Sequence, residues 1–565
     1  MCAQKHDYWW LMGGDIGGTP LLTTDGLVTL DFNQLNKPKL TRLPKIDMYF
    51  LGTNSSMSDS SGNLLFYSNG SKIFGSDHQL MPNGDTLNPY YVRLGDQSNQ
   101  GIIFLPLPQR HDKYVFFNKE IINNGFIAAS SKALTGMVDM GIHNGKGKVI
   151  NKRMVLLNDT LELGKITACR HANGRDWWII QPERNTNRFY RFYVGPEGVV
   201  LKGSQTVGFQ TETGVGQVVF TPDGSKFIRV KGTRNTEPNY LYIYDFDRCT
   251  GFLSNQRSTV FDYPPYKFGI GVACSPDSRY LYVTETIYVY QYDLTAPDIF
   301  ATKTVVGEYD GFLSAFDLPF YYWQAQLAPD GRIYIGGLNG GNHLSYIEHP
   351  TRKGTACDFI PHGLNLTVVN QYSIPNHPNF RLGPLDGSPC DTLGLDNHPL
   401  ANFRWEHEDS TDIQQVTFTD LSAYEPASWH WTFGDGNSST ERYPIHRYAQ
   451  NGVYMACLVV KNQFSSDTFC QKVYIGVTSA ENPDIQNRIE VWPNPFSERL
   501  VLALSTPSLR SPVLRLYDVA GRLVLTERLE YGINEINTSG LEKGLYFWAV
   551  EAAQERIKTG KVVKM

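Results

Sequence analysis

No apolar run in these 565 residues approaches the roughly 18 needed to cross a bilayer as a helix. Charge of one sign is never concentrated. Lys and Arg total 51 against 56 Asp and Glu, for a net charge of −5. That balance excludes an electrostatic nucleic-acid footprint and a basic membrane-surface helix. Cysteine is scarce, eight in all, with no C-x-x-C pair, so no zinc module is spelled out. The G-x-S-x-G elbow, the H-E-x-x-H helix and the phosphate-binding G-x-x-x-x-G-K-[ST] loop are absent. The Gly-rich stretches 13–18 and 336–341 lack the strand–loop–helix setting that cradles phosphate, and they read as turns.

What is abundant points to strands. Tyr (32), Phe (30), Gly (51) and Pro (31) are plentiful while charged residues make up only 19%. This composition is globular and all-β, and the length predicts three or four domains. A repeat runs through the first 385 or so residues. Six turn motifs each lead into an aromatic, β-branched strand: Ser61-Gly62-Asn63, His111-Asp112-Lys113, Asn173-Gly174-Arg175, Pro222-Asp223-Gly224, Pro276-Asp277-Ser278 and Pro329-Asp330-Gly331. Asp223, Asp277 and Asp330 are 54 and 53 positions apart. About four strands per unit of about 50 residues is the signature of a propeller blade. Pro presets φ in such turns, Asp bonds the backbone two residues on, and Gly accepts positive φ. A seventh blade is expected to combine the stretch near Phe359–Phe380 with the N-terminal strand Tyr8–Met12, closing the ring and removing its sheet edges.

Residues 8–385 thus form a seven-bladed β-propeller in this reading. With Asp245–Gly251 and His171–Trp178, the region resembles YVTN and WD40-like propellers of exported Bacteroidetes proteins. A linker follows at 386–400 and a compact unit at 401–477. Trp431, Gly434, Asp435 and Gly436, then Pro444, His446, Tyr448, Gly452 and Tyr454, come in the order of a PKD domain, which that unit resembles. The resemblance implies a small immunoglobulin-like β-sandwich. Cys457 and Cys470 flank the turn near Asn462–Ser465 and are expected to form a disulfide, with two buried thiols as the other reading. The pairing of the other six cysteines is left open.

A second linker covers 478–487, and 488–565 changes register. Pro493-Asn494-Pro495-Phe496, then Tyr517-Asp518-Val519-Ala520-Gly521-Arg522, then Lys543-Gly544-Leu545-Tyr546, and a basic end at Lys561-Val562-Val563-Lys564, occur in order at the C-terminus. This resembles the type A C-terminal sorting domain of the type IX secretion system, a second small sandwich. The resemblance implies the type IX machinery as partner, passage through the outer membrane, removal of the tail, and attachment to the cell surface or release. An opening of Met1-Cys2-Ala3-Gln4 running directly into Tyr8-Trp9-Trp10 reads as the start of a mature chain whose signal peptide is gone; a cytoplasmic protein is the alternative.

Propellers place function in the channel and on the loop faces. Polar members of the strands before each turn are Asn99, Gln100, Thr167, Gln217, Gln324 and Gln326. They are read either as a ring of ligand-binding amides or as hydrogen bonds between blades. His171 is read as a hydrogen-bonded loop residue, with a role as base or ligand the alternative. Tyr263–Tyr266 and Phe320–Trp323 are either carbohydrate platforms or packing between blades. Few carboxylates fall at channel positions, which counts against a propeller hydrolase. The expectation is therefore a secreted or surface binding protein for a glycan or protein ligand, with carbohydrate binding and adhesion as its working terms. It has no catalytic residues, no metal site and no cofactor, a structural calcium being the one option kept. A secreted hydrolase with a channel active site and a purely structural surface protein are the alternatives.

Overall fold

The computed structural model describes residues 4–14, 26–34, 36–43, 46–89, 95–123, 128–211, 213–232, 238–261, 269–409, 412–476, 489–492, 495–504, 512–530, 532–552 and 555–564. Seven antiparallel sheets follow one another between Trp9 and Asn370. Blade 1 is Trp9–Gly14, Gly26–Asp31 and Lys39–Arg42, and blade 2 is Ser55–Ser58, Leu64–Ser68 and Ile73–Gly75. Blades 3 to 7 have four strands each and begin at Ile102, Ala168, Val218, Gly269 and Tyr322. The first strand of a blade is buried, as in Ile102–Pro106, whereas the fourth alternates in and out of solvent, as in Lys148–Leu161. First strands therefore line the axis and fourth strands form the rim.

All six turn motifs lie between the first and second strands of blades 2 to 7. Their chemistry is as read. The Asp223 carboxylate accepts the Ser225 N–H at 2.9 Å, and Asp330 accepts Arg332 N–H at 3.1 Å. Gly224 (φ 73°) and Gly331 (φ 81°) sit in the left-handed region these turns require. Neighbouring blades share apolar cores. Trp177 and Phe192 of blade 4 pack with Phe104 and Phe116 of blade 3, and Tyr282 of blade 6 with Ile335 of blade 7.

Ring closure differs from the expected composite blade. Phe359–Asn370 stays the outermost strand of blade 7, paired with Gly341–Ile347. Tyr8–Met12 belongs to the three-stranded sheet of blade 1. Phe359–Asn370 packs on the N-terminal sheet without a ladder between them, the Gly13 N–H reaching the Asn370 side-chain oxygen (3.3 Å), and the stretch after Asn370 continues across the ring. Ile374 N–H reaches Gln324 of blade 7 (3.0 Å), Asn376 N–H reaches the Asn54 carbonyl of blade 2 (2.9 Å), and the His377 ring stacks near Trp10. A shared core of Trp10, Val28 and Leu30 with Tyr334, Leu344 and Val368 joins blades 1 and 7. The long alternating strand suits a rim, so closure falls to apolar burial rather than to strand exchange.

The PKD unit pairs Phe403–Asp409, Asp412–Asp420 and Ile445–Arg447 in one sheet, and Ser438–Ser439, Ser428–Thr432, Gly452–Lys461 and Ser466–Ile475 in the other. Trp431 is fully buried against Phe403 and Phe418, and its Nε1 donates to the Glu441 carbonyl at 2.9 Å. Gly434 (φ 82°) and Gly436 (φ 94°) flank Asp435, whose carboxylate caps Asn437 and pairs with His446 at 2.7 Å. Cys457 and Cys470 are disulfide-bonded.

By contacts the chain divides into two units. The first is Met1–Glu408, Gln415–His446 and Met455–Gln471; the second is Asp409–Gln414, Arg447–Tyr454 and Lys472–Met565. The tail is a sandwich of three and four strands around Leu500, Leu514, Leu516, Trp548 and Val562. Asp518 and Gly521 (φ 77°) close a turn, with Gly521 N–H on the Asp518 carbonyl at 2.9 Å. Gly544 opens the strand that carries the buried Tyr546, whose hydroxyl donates to Glu542 at 2.7 Å. Lys564 is buried and donates to the carbonyl of Thr538. Pro495 is exposed, whereas the predicted Pro493 and Asn494 lie outside the described residues.

Candidate ligand site at the propeller mouth

The predicted amides do converge on the axis, and most of them are spoken for. Gln100 donates to the Val218 carbonyl (2.9 Å) and accepts from the Val218 N–H (2.8 Å). Gln217 accepts from Val272 N–H of blade 6 and Ala325 N–H of blade 7, at 3.2 and 2.8 Å. Gln324 holds Ile374. Asn376, which the sequence reading missed, donates to the carbonyls of Ile102 and Ile166 at 3.0 and 2.9 Å and accepts from Gln100 at 3.2 Å. These carboxamides are at most 6% exposed and form a layer across the channel. Gln326 donates to the Leu327 and His377 carbonyls. Asn99 lies at the end where the inner strands begin, its carbonyl taking the Lys165 N–H. His171 lies in the blade 4 turn, with Nε2 3.0 Å from the Cys249 carbonyl, packed on Trp178 and Tyr193.

Beyond the amide layer, where the inner strands end, is a cavity of about 320 Å³. Gln100, Thr167 and Gln326 reach it; Asn99, His171, Gln217 and Gln324 do not. Its walls are the ends of the inner strands of blades 4 to 7, one side is the returning segment 377–383, and the PKD loop Asp420–Pro426 completes it. Tyr424 (φ 62°) and Glu425 (φ 54°) are consecutive non-glycine residues in the left-handed region, a cost of order 1 kcal/mol or more each. That strain puts Tyr424, 3% exposed, over the mouth. Gly383 lies beneath it: a Cβ there would sit 1.9 Å from the Asn397 side-chain oxygen.

Two of the five carboxylates of the cavity are held in ion pairs. Asp7 and Arg381 form a two-bond ion pair at 2.7 and 2.8 Å, and Arg442 pairs with Asp420 at 2.8 Å. Arg170 stacks 3.7 Å above Trp177 and donates to the carbonyls of Arg175 and Phe380; burial pulls it down to about 10. Burial also depresses His377 to about 4, so it is neutral at physiological pH. Among the described residues, the hydrogen bonds to the Asp223 and Asp277 carboxylates at the rim come from hydroxyls and main-chain N–H groups. Among the described residues no three His, Cys, Asp or Glu side chains gather as metal ligands.

Two devices fix the PKD loop in place. Arg404 of the PKD unit bridges Glu348 (2.5 Å) and Glu406 (2.6 Å), and Arg332 of blade 7 also grips Glu348 (2.6 Å). Although burial alone would raise it, the two guanidiniums hold Glu348 at about 2, while burial beside Glu348 pushes Glu406 up to about 7. Cys249 of blade 5 is disulfide-bonded to Cys390, which ties the linker to the propeller. Neither Arg404 nor Cys390 carries a local motif, so neither was legible beforehand. At the opposite end of the channel, Glu162 is buried with Lys165 (2.8 Å) and Arg229. Of the aromatic platforms, Phe320, Tyr322 and Trp323 are buried between blades, and 263–266 lie outside the described residues.

Residues 397–477 match the PKD domain, and 490–565 match the secretion system C-terminal sorting domain. The propeller, PKD unit and sorting sandwich together define a multidomain protein built for export. The tail assigns the route: this is cargo of the type IX secretion machinery, delivered to the outer surface or the medium. No helix among the described residues is long and apolar enough to cross a membrane. Solved structures similar to parts of the chain include the PKD1 domain of the Vibrio cholerae metalloprotease PrtV (30% identity, 14% of this chain and 95% of that one, TM-score 0.13). The PKD1 domain of Vibrio anguillarum Epp is 25% identical over 14% and 95%, TM-score 0.13. A Lactobacillus plantarum protein is 12% identical over 65% and 98%, TM-score 0.39. No curated protein matches the chain.

Proposed function

We propose that this exported protein is a non-catalytic binding protein that takes a glycan or protein ligand in the cavity between the propeller mouth and the PKD loop, in the manner of an adhesin or surface receptor. The observation that carries this reading is the cavity itself: about 320 Å³, reached by the fixed carboxamides of Gln100 and Gln326 and built by two domains at once. Such concave, pre-formed sites with a few placed polar groups are where ligands bind. Binding is favoured over hydrolysis because Asp7 and Asp420 are held in ion pairs with Arg381 and Arg442, and Asp223 and Asp277 are occupied by the hydroxyls and main-chain N–H groups of their own turns, which leaves, among the described residues, only the rim residue Glu425 as a cavity carboxylate without such partners. The PKD unit then acts as part of the site rather than as a spacer.

The test is a binding screen of the full chain against polysaccharides, oligosaccharides and peptides, run beside a hydrolase panel with and without chelator. Saturable binding without turnover is expected. Chelator-sensitive turnover would replace this reading with a metal-dependent hydrolase.

A further inference from the structure

The inner strands of a propeller are sheet edges, and every second residue turns its N–H and C=O toward the axis. In this chain one level of those edges is already filled. Val218, Val272, Ala325 and Ile166 face inward at that level, and all are met by amides. Val218 bonds Gln100 through both its N–H and its C=O, the way one peptide strand meets another. Val272 and Ala325 give their N–H to Gln217, and the Ile166 carbonyl takes Asn376.

Two residues further along each strand, about 7 Å, the same alternation turns Ala168, Phe220, Cys274 and Leu327 inward. The next residue of each strand confirms the phase: Thr221 N–H bonds Lys226, Ser275 N–H bonds Tyr280 and Ala328 N–H bonds Arg332, all outward toward the second strands. Ala168, Phe220, Cys274 and Leu327 all line the cavity. Among the described residues, the Leu327 carbonyl takes Gln326, and no side chain meets the main-chain groups of the other three. A second level of strand edges, the counterpart of the filled one, thus faces the cavity.

We infer that the propeller mouth binds an extended peptide segment carrying a basic residue, its main-chain amides pairing with the inner edges of blades 4 to 7 at the level of Ala168, Phe220, Cys274 and Leu327. This rests on the binding-site reading above and names its ligand class. The molecule's own groups at this end of the axis are carboxamides and main chain: the amide layer, the segment 377–383 and the PKD loop. A peptide continues that pattern by β-augmentation. The basic residue follows from charge. Five carboxylates line the cavity (Asp7, Asp223, Asp277, Asp420, Glu425) against three guanidiniums (Arg170, Arg381, Arg442), with Arg248 buried close by; among the described residues Asp223, Asp277 and Glu425 make no direct ion pair, the Arg248 charge acting on Asp223 and Glu425 only through space. Asp223 and Glu425 are exposed at the rim, where a lysine or arginine can reach them.

The experiment presents the full-length chain with four immobilised probes: an extended lysine-containing decapeptide, its acetyl-lysine form, its backbone N-methylated form, and chitotetraose. The lysine peptide is expected to bind saturably. N-methylation, which removes the ligand's donors, should weaken binding at least tenfold. Acetylation should weaken it severalfold, as should D223N and E425Q, and these variants should not change binding of the acetylated peptide. Equal binding of the N-methylated peptide overturns the edge-pairing geometry. Binding of chitotetraose alone overturns the peptide class and leaves the binding-protein reading standing. Turnover of any probe, or no binding by any, overturns both.

Discussion

His6 and His377 are both buried, and burial holds each at about 4. The unfolded chain would protonate them near 6.5, so their neutral burial costs nothing above that pH. As pH falls from 6.5 toward 4 the unfolded state gains protons that the folded state refuses, and stability drops. Asp96, pushed up to about 6 by burial, works in the opposite sense over the lower part of that window. The difference between variants isolates the histidines: melting curves of H6Q and H377Q should fall less steeply between pH 6.5 and 4 than the wild type. Parallel curves would mean that the rings are protonated in the fold. Asn376 makes a second case. Its amide meets the carbonyls of blades 3 and 4, so N376A leaves two buried acceptors unsatisfied, at about 1–3 kcal/mol each. A fall in denaturation midpoint with unchanged m-value is expected. The amides of Gln100, Gln217 and Gln324 were legible as polar residues before each turn. Asn376 was not, because it follows the last strand and belongs to no repeat.

The linker and the PKD unit are held to the propeller by contacts that can be removed one at a time. Cutting the Cys249–Cys390 bridge opens a loop of 141 residues, and the chain-entropy account gives about 2–5 kcal/mol for such a cross-link. C249S/C390S should melt lower than the wild type under oxidising conditions and match it under reducing ones. Arg404 is fully buried between Glu348 and Glu406, so R404A strips Glu406 of its cation and leaves Glu348 with Arg332 alone. A cost of about 3–5 kcal/mol is expected, with loss of any ligand binding that needs the PKD loop. Had the unit been a free spacer, that variant would leave propeller binding untouched. The blade turns could be read directly because Pro-Asp-Gly fixes its own backbone. The Arg404 bridge could not, since a lone arginine in a strand pattern announces no partner.

Export belongs to the tail. Deleting residues 490–565 in the native host should abolish surface and extracellular accumulation while the remaining chain collects inside the cell envelope, as fractionation and immunoblotting would show. Normal secretion of the truncated chain would place the signal elsewhere. All-β composition, the step of about 50 residues, the PKD motif and the four tail motifs stand in the sequence because each is local: a turn, an alternation or a short constellation carries its own physics. The closure of the ring between blades 1 and 7, the bridge from Cys249 to Cys390, the amide layer and the cavity roofed by Tyr424 join residues scores to hundreds of positions apart. Tertiary packing alone decided them, because they depend on which strand edges meet around the axis and on which buried charges find one another, and neither has a signature in neighbouring residues.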